Sequence, residues 1–164
     1  MTTETTVHAG ASAHSAGQSY SRLLAMTVLS FIAMYILMYA MVDRFSSVYP
    51  NINQFYMAAL MTSPMVIIEL LLMSRMYPNK SANIAILVAG VIALGGFFTL
   101  IRQQTAVGDV QFLKSMIPHH AGAILMCGKA PVQDAEIKTL CGQIIKGQQQ
   151  EIDQMKAILA RFEK

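Results

Sequence analysis

Twenty consecutive residues without a charge constrain this chain more than any other feature. The run covers 23–42. At about 1.5 Å of rise per residue, a helix of that length crosses a hydrocarbon core about 30 Å thick. Two further apolar runs follow at 55–74 and 84–101, and the loops between the runs are short and contain Pro and Asn. The pattern predicts three transmembrane helices with antiparallel neighbours.

The composition agrees with a membrane protein. Hydrophobic residues make up 54% of the chain and charged residues 13%, whereas soluble domains have about 25% charged residues. The net charge of +3 is scattered along the chain, and without a basic cluster we expect no nucleic-acid partner. Residues 1–22 are rich in Ser, Thr, Ala and Gly, which predicts a disordered N-terminal tail. The tail histidines, His8 and His14, are expected to have no role.

The few basic residues beside the apolar runs predict an orientation. Arg22, Arg75 and Lys80 lie on one side of the membrane, and Arg44 and Arg102 lie on the other. Because cytoplasmic loops carry the excess of Lys and Arg, we expect the N-terminus in the cytoplasm and the C-terminus outside.

A more polar segment follows the third apolar run. Residues 109–164 contain two helical patterns, at about 109–128 and 133–162, and Asp134 is a plausible cap for the second. The fold class is therefore all-α, with a three-helix transmembrane region at 23–102 and then an extramembrane helical hairpin. Two helices alone bury little surface, so we expect a homo-oligomer through the hairpin, packing on the membrane helices, or both.

The stretch SMIPHHAGAILM, residues 115–126, is the strongest candidate for a metal site. On a helix, Met116, His119 and His120 stand at i, i+3 and i+4 and are neighbours. Pro118 should bend or restart the helix and free a backbone carbonyl. Further methionines lie about two turns along this stripe and on the second helix. The candidate metal ligands are Met116, His119, His120, Met126 and Met155.

This set offers imidazole nitrogens and thioether sulfurs. Thioethers favour Cu(I) and similar soft ions such as Ag(I), and imidazole also accepts Cu(II) or Zn²⁺. Thioethers are not consumed by disulfide formation, so such a site suits an oxidising compartment. The alternative is structural, because methionine fills gaps in cores and a histidine is often simply hydrogen-bonded. The spacing alone leaves both interpretations open.

Methionines also recur in the membrane segments. Met57, Met61, Met65 and Met73 follow a spacing of four or eight, and Glu69 occupies the missing place in that series. If this stripe faces the methionines of the first helix, the two could form a copper path; flexible packing is the alternative. A carboxylate within a membrane is a functional-site hypothesis. The possible secondary metal ligands are Met57, Met61, Met65, Glu69, Met34, Met38, Cys127 and Cys141. The two cysteines form no CxxC pair, and a disulfide, free thiols or thiolate ligands all remain open.

The C-terminal stretch resembles a known family. DVQFLKSMIPHHAGAILM and EIKTLCGQIIKGQQQEIDQMKAIL are similar to the domain of unknown function 305 family, ferritin-like helical proteins of which some are periplasmic copper binders. The resemblance covers about 109–159 and rests on MIPHH together with Gln148, Glu151, Ile152 and Met155. It implies a ferritin-like half-bundle at 109–164 and copper or silver handling through the five ligands named above. The cysteines lie outside the family pattern, and no enzymatic activity is implied.

These observations lead to one principal expectation and its alternatives. We expect a membrane-anchored Cu(I) or Ag(I) binding protein for copper tolerance or delivery, in the bacterial inner membrane with its C-terminal domain in the periplasm. The main alternative is a metal-independent assembly or interaction protein that uses the hairpin for docking. A di-iron enzyme would need Glu-x-x-His motifs, and no glutamate in the sequence has a histidine three residues later. Transport is a weaker possibility, since three helices are few.

Overall fold

The computed structural model describes the backbone of residues 4–162 and the side chains of residues 17–162. This part of the chain is entirely helical outside its turns and loops, as predicted. Its α-helices are α1 (Glu4–Leu37), α2 (Ile52–Leu72), α3 (Lys80–Gln103), α4 (Asp109–Lys129) and α5 (Ala135–Phe162). Short 3-10 helices occupy Met38–Met41, Phe45–Ser47 and Ser74–Met76.

Three helices of the described chain are long and apolar enough to cross a membrane. The candidate spans are Gly17–Met41, Ile52–Leu72 and Lys80–Gln103. Each contains or overlaps one of the predicted apolar runs, so the sequence located all three. Length and composition support this assignment.

The start of α1 differs from the sequence prediction. Helical backbone begins at Glu4, inside the segment predicted as a disordered tail. An apolar helix already formed downstream removes the cost of nucleation, so residues of modest helix propensity can extend it. Tyr20, near the end of the predicted tail, is held in place: its hydroxyl donates to Asn83 Oδ1 at 2.7 Å, and its ring lies 5.4 Å from that of Tyr77. The mobility of the residues before it stays a prediction.

The chain divides into two compact units. The first combines the residues up to Met34 with Tyr56–Gln103. On the buried side of α2, the hydroxyls of Thr62 and Ser63 donate to carbonyls four residues earlier, at 2.7 and 2.8 Å. These bonds satisfy the polar groups within their own helix, as an apolar environment requires. The buried cluster of this unit contains Leu23, Leu70 and Tyr77.

A glycine allows α3 to approach α2 within the first unit. A Cβ atom added at Gly90 would lie 2.9 Å from Cγ1 of Ile67, closer than carbon atoms normally pack. Gly95, further along α3, would meet nothing within 4 Å. The missing side chain of Gly90 therefore sets how closely the two helices pack at this point.

The second unit contains the predicted hairpin. It combines Tyr35–Phe55 with the residues from Gln104 onward, and α4 packs against α5. Asp134 caps α5, as predicted, because its Oδ1 accepts the backbone N–H groups of Glu136 and Ile137 at 2.9 and 3.0 Å. The core of the unit is formed by Leu113, Ile117, Ala121, Ile152, Met155 and Leu159.

Pro118 lies inside α4, which continues through it as one helix. The predicted restart is therefore wrong, but the predicted free carbonyl is present. Proline has no N–H to bond the carbonyl of Lys114, and the side-chain amide of Asn51 donates to that oxygen at 3.4 Å. Asn51 Oδ1 also accepts the backbone N–H of Gln54 and so caps the first turn of α2. A residue distant in sequence thus compensates for the proline.

Candidate metal site at the interface of α4 and α5

His120 is held in a defined orientation by its own helix. Its ring Nδ1 lies 2.9 Å from the backbone carbonyl oxygen of Met116. Because a carbonyl can only accept, Nδ1 carries the hydrogen of this bond. The other nitrogen, Nε2, therefore remains for a partner on α5. Histidine ligands to metals are commonly fixed through the second ring nitrogen in the same manner.

That partner is Glu151. Nε2 of His120 lies 2.8 Å from Oε2 of Glu151, with the histidine side chain 12% exposed and the glutamate 56% exposed. This is a hydrogen-bond distance, so one hydrogen lies between the two atoms. In general a metal ion can replace a proton between such donors. The contact thus marks a position on the hairpin suited to a cation.

Methionines lie one helical turn from each member of this pair. Met116 precedes His120 by four residues on α4, and Met155 follows Glu151 by four residues on α5. Side chains with this spacing are neighbours on a helix surface. Met155 is buried in the core of the second unit, and Met116 packs against that core. The interface therefore combines one imidazole, one carboxylate and two thioethers.

Two of the predicted ligands lie at the surface instead. His119 is exposed, and its ring centroid is 6.2 Å from that of His120. Successive residues of a helix point about 100° apart, so the adjacent histidines face different surroundings. Met126 is 56% exposed. The structure thus brings Met116, His120 and Met155 to the interface and leaves the roles of His119 and Met126 as predictions.

Sequence reasoning did not assign a ligand role to Glu151. The available signal was its spacing, one turn before Met155 in a stretch already associated with the family. Among the side chains at 17–162, no group of three or more His, Cys, Asp and Glu residues is arranged to hold a metal ion. Metal binding at this interface would therefore depend on the thioethers, which favours a soft ion over a hard one.

The methionines of the membrane segments are placed differently from one another. Met57 and Met61 lie on the exposed side of α2. Met34 contacts the buried side, where its sulfur lies 3.7 Å from the hydroxyl oxygen of Thr62. Met38 begins the 3-10 helix after α1. The arrangement favours packing at Met34, while a metal role for these methionines stays a prediction.

Glu69 has a hydrogen-bond partner near the end of its span. The hydroxyl of Tyr77 donates to its Oε1 at 3.3 Å. The pKa of Tyr77 is raised, first because the phenol is buried and then because the negative charge of Glu69 lies nearby. This contact gives Glu69 a structural role at the connection between α2 and α3.

The two cysteines of the described chain are free thiols, and both are half-buried. A hydrogen bond between Cys127 and Cys141, together with burial, raises the pKa of the Cys127 thiol. Cys127 lies near the end of α4, and Cys141 lies near the start of α5. The side chains of His8 and His14 lie outside the described residues.

Comparisons with known proteins agree with this organisation. Residues 100–164 match the family described as Domain of unknown function (DUF305), which covers the end of α3, α4 and α5. The chain is 32% identical over 142 residues to an uncharacterized protein of Acanthamoeba polyphaga mimivirus, covering 85% of this chain and 91% of the relative. The similarity therefore extends beyond residues 100–164 into the segments that contain the candidate spans. No solved structure matches the chain.

Proposed function

The chain belongs to the family defined by the domain of unknown function DUF305, and from that premise we propose that it is a membrane-anchored protein that binds a soft metal ion. The ion is Cu(I), with Ag(I) as its chemical analogue, and the role is copper tolerance or delivery. The protein acts as a binder and not as an enzyme. The MIPHH motif on α4 supplies the central ligands.

One observation carries this proposal. Nε2 of His120 points across the hairpin at Glu151 with a 2.8 Å separation, a hydrogen-bond distance at which a metal ion could replace the shared proton. Thioethers flank this position from both helices, since Met116 and Met155 each lie one turn from the pair. Imidazole with two thioethers is a donor set suited to Cu(I). The carboxylate can balance the charge of the ion and is the member of the set most accessible to water.

The exposed residues have a second role in the proposal. His119 and Met126 are exposed on α4, and they offer the same two donor types at the surface. We assign them to capturing the ion from solvent or from a partner protein before His120 and the inner thioethers hold it. This assignment keeps all five predicted ligands and divides them into outer and inner positions.

The location and assembly follow from the rest of the chain. Three helices long and apolar enough to cross a membrane support an anchor in a lipid bilayer, and the distribution of basic residues favours a hairpin outside the cytoplasm. In a bacterial inner membrane this is the periplasm, where thioethers resist the oxidation that would pair thiols. A hairpin is half of a four-helix bundle. We propose that two copies complete a ferritin-like bundle through exposed apolar residues such as Phe112 and Leu140.

A competition titration tests the proposal. Purified full-length protein is titrated with Cu(I) against a chromophoric chelator, beside the His119→Ala/His120→Ala variant. The matched control is His8→Ala/His14→Ala, which removes the same number of imidazoles far from the motif in sequence. We expect wild-type affinity in the control and at least tenfold weaker binding in the motif variant. Equal affinity in all three proteins would overturn the assignment of the site.

A second candidate function is supported by the exposed apolar side chains of the hairpin. Phe112 on α4, and Leu140 and Phe162 on α5, are all exposed in the chain as described, and such side chains are typical of contact surfaces. The hairpin would then be a metal-independent docking module for another protein. A stable complex recovered equally from wild type and from the histidine variant, in the presence of a chelator, would favour this function.

A further inference from the structure

A cavity of about 400 Å³ lies within the first unit, between α1, α2 and α3. Small residues leave this space open, since Ala59 on α2 and Ala89, Gly90 and Ala93 on α3 all line it. Its volume is within the range of about 300–1,000 Å³ that is typical of small-molecule sites. The whole lining lies within the three candidate spans, so the molecules available to it are those of a bilayer.

The polar groups of the cavity lining are already hydrogen-bonded. Three lining side chains carry hydroxyls, and each donates to a carbonyl oxygen of its own helix. Thr27 bonds to Leu23 at 2.8 Å, and Thr62 and Ser63 make the equivalent bonds on α2 at 2.7 and 2.8 Å. The other lining side chains are apolar. Because water fills a cavity only where it finds polar partners, the chemistry of this lining suits a hydrocarbon.

The cavity is long and narrow in the direction of the helices. Its lining on α3 runs from Ile86 to Phe97, which corresponds to about 16 Å at the rise of an α-helix. Spread over this length, the volume gives a mean cross-section of about 25 Å². One extended hydrocarbon chain has a similar cross-section, whereas an α-helix about 10 Å in diameter needs roughly 80 Å². The space therefore fits a single chain and is too narrow for a helix of a second copy.

The cavity also has an open side through which a chain can enter. Val28, which lines it on α1, is 48% exposed. We propose that the cavity binds one acyl chain of a bilayer phospholipid, which lies along α3 between the three spans. The chain supplies the dispersion contacts that the small residues leave unmade. This inference rests on the three spans crossing a bilayer and is independent of metal binding.

Tryptophan fluorescence can detect a chain in the cavity, because the protein has no tryptophan of its own. Full-length Phe97→Trp is reconstituted into phosphatidylcholine vesicles with either ordinary or brominated acyl chains, since bromine quenches tryptophan on contact. The reference variant is Phe98→Trp, because Phe98 is 58% exposed and lies outside the lining. We expect the brominated lipid to quench Phe97→Trp at least half as strongly as Phe98→Trp.

Filling the cavity separates a bound chain from general contact with lipid. Ala93→Leu enlarges a lining side chain one turn from Phe97, while Ala85→Leu adds the same atoms at an exposed position of α3 outside the lining. In the Phe97→Trp background we expect Ala93→Leu to reduce the quenching at least threefold and Ala85→Leu to leave it unchanged. In the Phe98→Trp background neither substitution should change it.

Three outcomes would overturn the proposal. Weak quenching of Phe97→Trp beside strong quenching of Phe98→Trp would show that no acyl chain enters the cavity, and this comparison does not require Ala93→Leu to fold. Equal quenching of Phe97→Trp with and without Ala93→Leu would show contact with the surrounding lipid only. Weak quenching of both tryptophan variants would show that the helices lie outside the bilayer, which would overturn the membrane assignment too.

Discussion

Nε2 of His120 and Oε2 of Glu151 lie 2.8 Å apart and join the MIPHH stretch of α4 to α5. Because the glutamate is more than half exposed, water and salt screen the contact, and pairs of this kind contribute about 1 kcal/mol or less. We therefore predict that Glu151→Gln lowers the stability of the hairpin only slightly. Thermal melts at low and high salt measure the effect. A loss well above 1 kcal/mol that persists at high salt would contradict this view of the pair.

The stability of the hairpin should depend instead on its apolar core. Ile117 is fully buried at 0% exposure, whereas Ile137 is 45% exposed. Truncation of a buried isoleucine to alanine typically costs about 2–5 kcal/mol, since it removes contacts and leaves a cavity. We predict a loss of this size for Ile117→Ala and a loss below about 1 kcal/mol for Ile137→Ala. Chemical denaturation followed by circular dichroism measures the free energy of unfolding of the two variants. Similar losses of stability in both would contradict a core centred on Ile117.

The approach of α3 to α2 at Gly90 gives a prediction within the membrane unit. A Cβ atom there meets Ile67 at 2.9 Å, while the same change at Gly95 meets nothing within 4 Å. Both substitutions to alanine gain the same helix propensity, so this gain cancels in their comparison. We predict that Gly90→Ala is less stable than Gly95→Ala by about 1–3 kcal/mol. Thermal unfolding in one detergent measures the difference, and equal stability would contradict the close packing.

The contact between Tyr77 and Glu69 predicts a pH dependence. Burial and the nearby carboxylate raise the pKa of the phenol in the folded protein, so folding favours the neutral form. The associated stability is present below the usual tyrosine pKa and is lost as the pH rises through the raised value. Because burial is the largest single cause of the raised pKa and remains in the variant, Glu69→Gln should lower the pKa of Tyr77 only part of the way.

This titration can be followed by the ultraviolet absorbance of phenolate. The chain has six tyrosines, so the signal of Tyr77 is the difference between each protein and its Tyr77→Phe counterpart. An identical midpoint with and without the Glu69 carboxylate would rule out the electrostatic contribution. A midpoint at the usual tyrosine value in wild type would rule out the effect of burial too.

Features that depend on local pattern were predicted from the sequence. The apolar runs located the three candidate spans, because a long uncharged stretch is seldom found outside a membrane helix or a buried core. Asp134 marked the start of α5, where its side chain caps the first turn. These signals lie within one helix, so they do not require knowledge of how helices pair.

Features that depend on pairing between helices were not predicted. Glu151 became a partner of His120 only when the register of the hairpin was fixed, and the sequence gives no direct measure of that register. The side-chain amide of Asn51 donates to the carbonyl that Pro118 leaves free, and these residues are also far apart in sequence. Adjacent histidines looked equivalent in sequence, whereas packing of α4 on α5 turned His120 inward and left His119 exposed.

We propose that one soft metal ion binds through the imidazole of His120 and nearby thioethers. X-ray absorption spectroscopy of full-length protein loaded with one equivalent of Cu(I) can identify these ligands, because imidazole and sulfur scatter differently. We expect both imidazole and sulfur around copper in wild type, with loss of the imidazole contribution in His120→Ala. A copper environment of sulfur alone in wild type, or an unchanged imidazole signal in the variant, would contradict it.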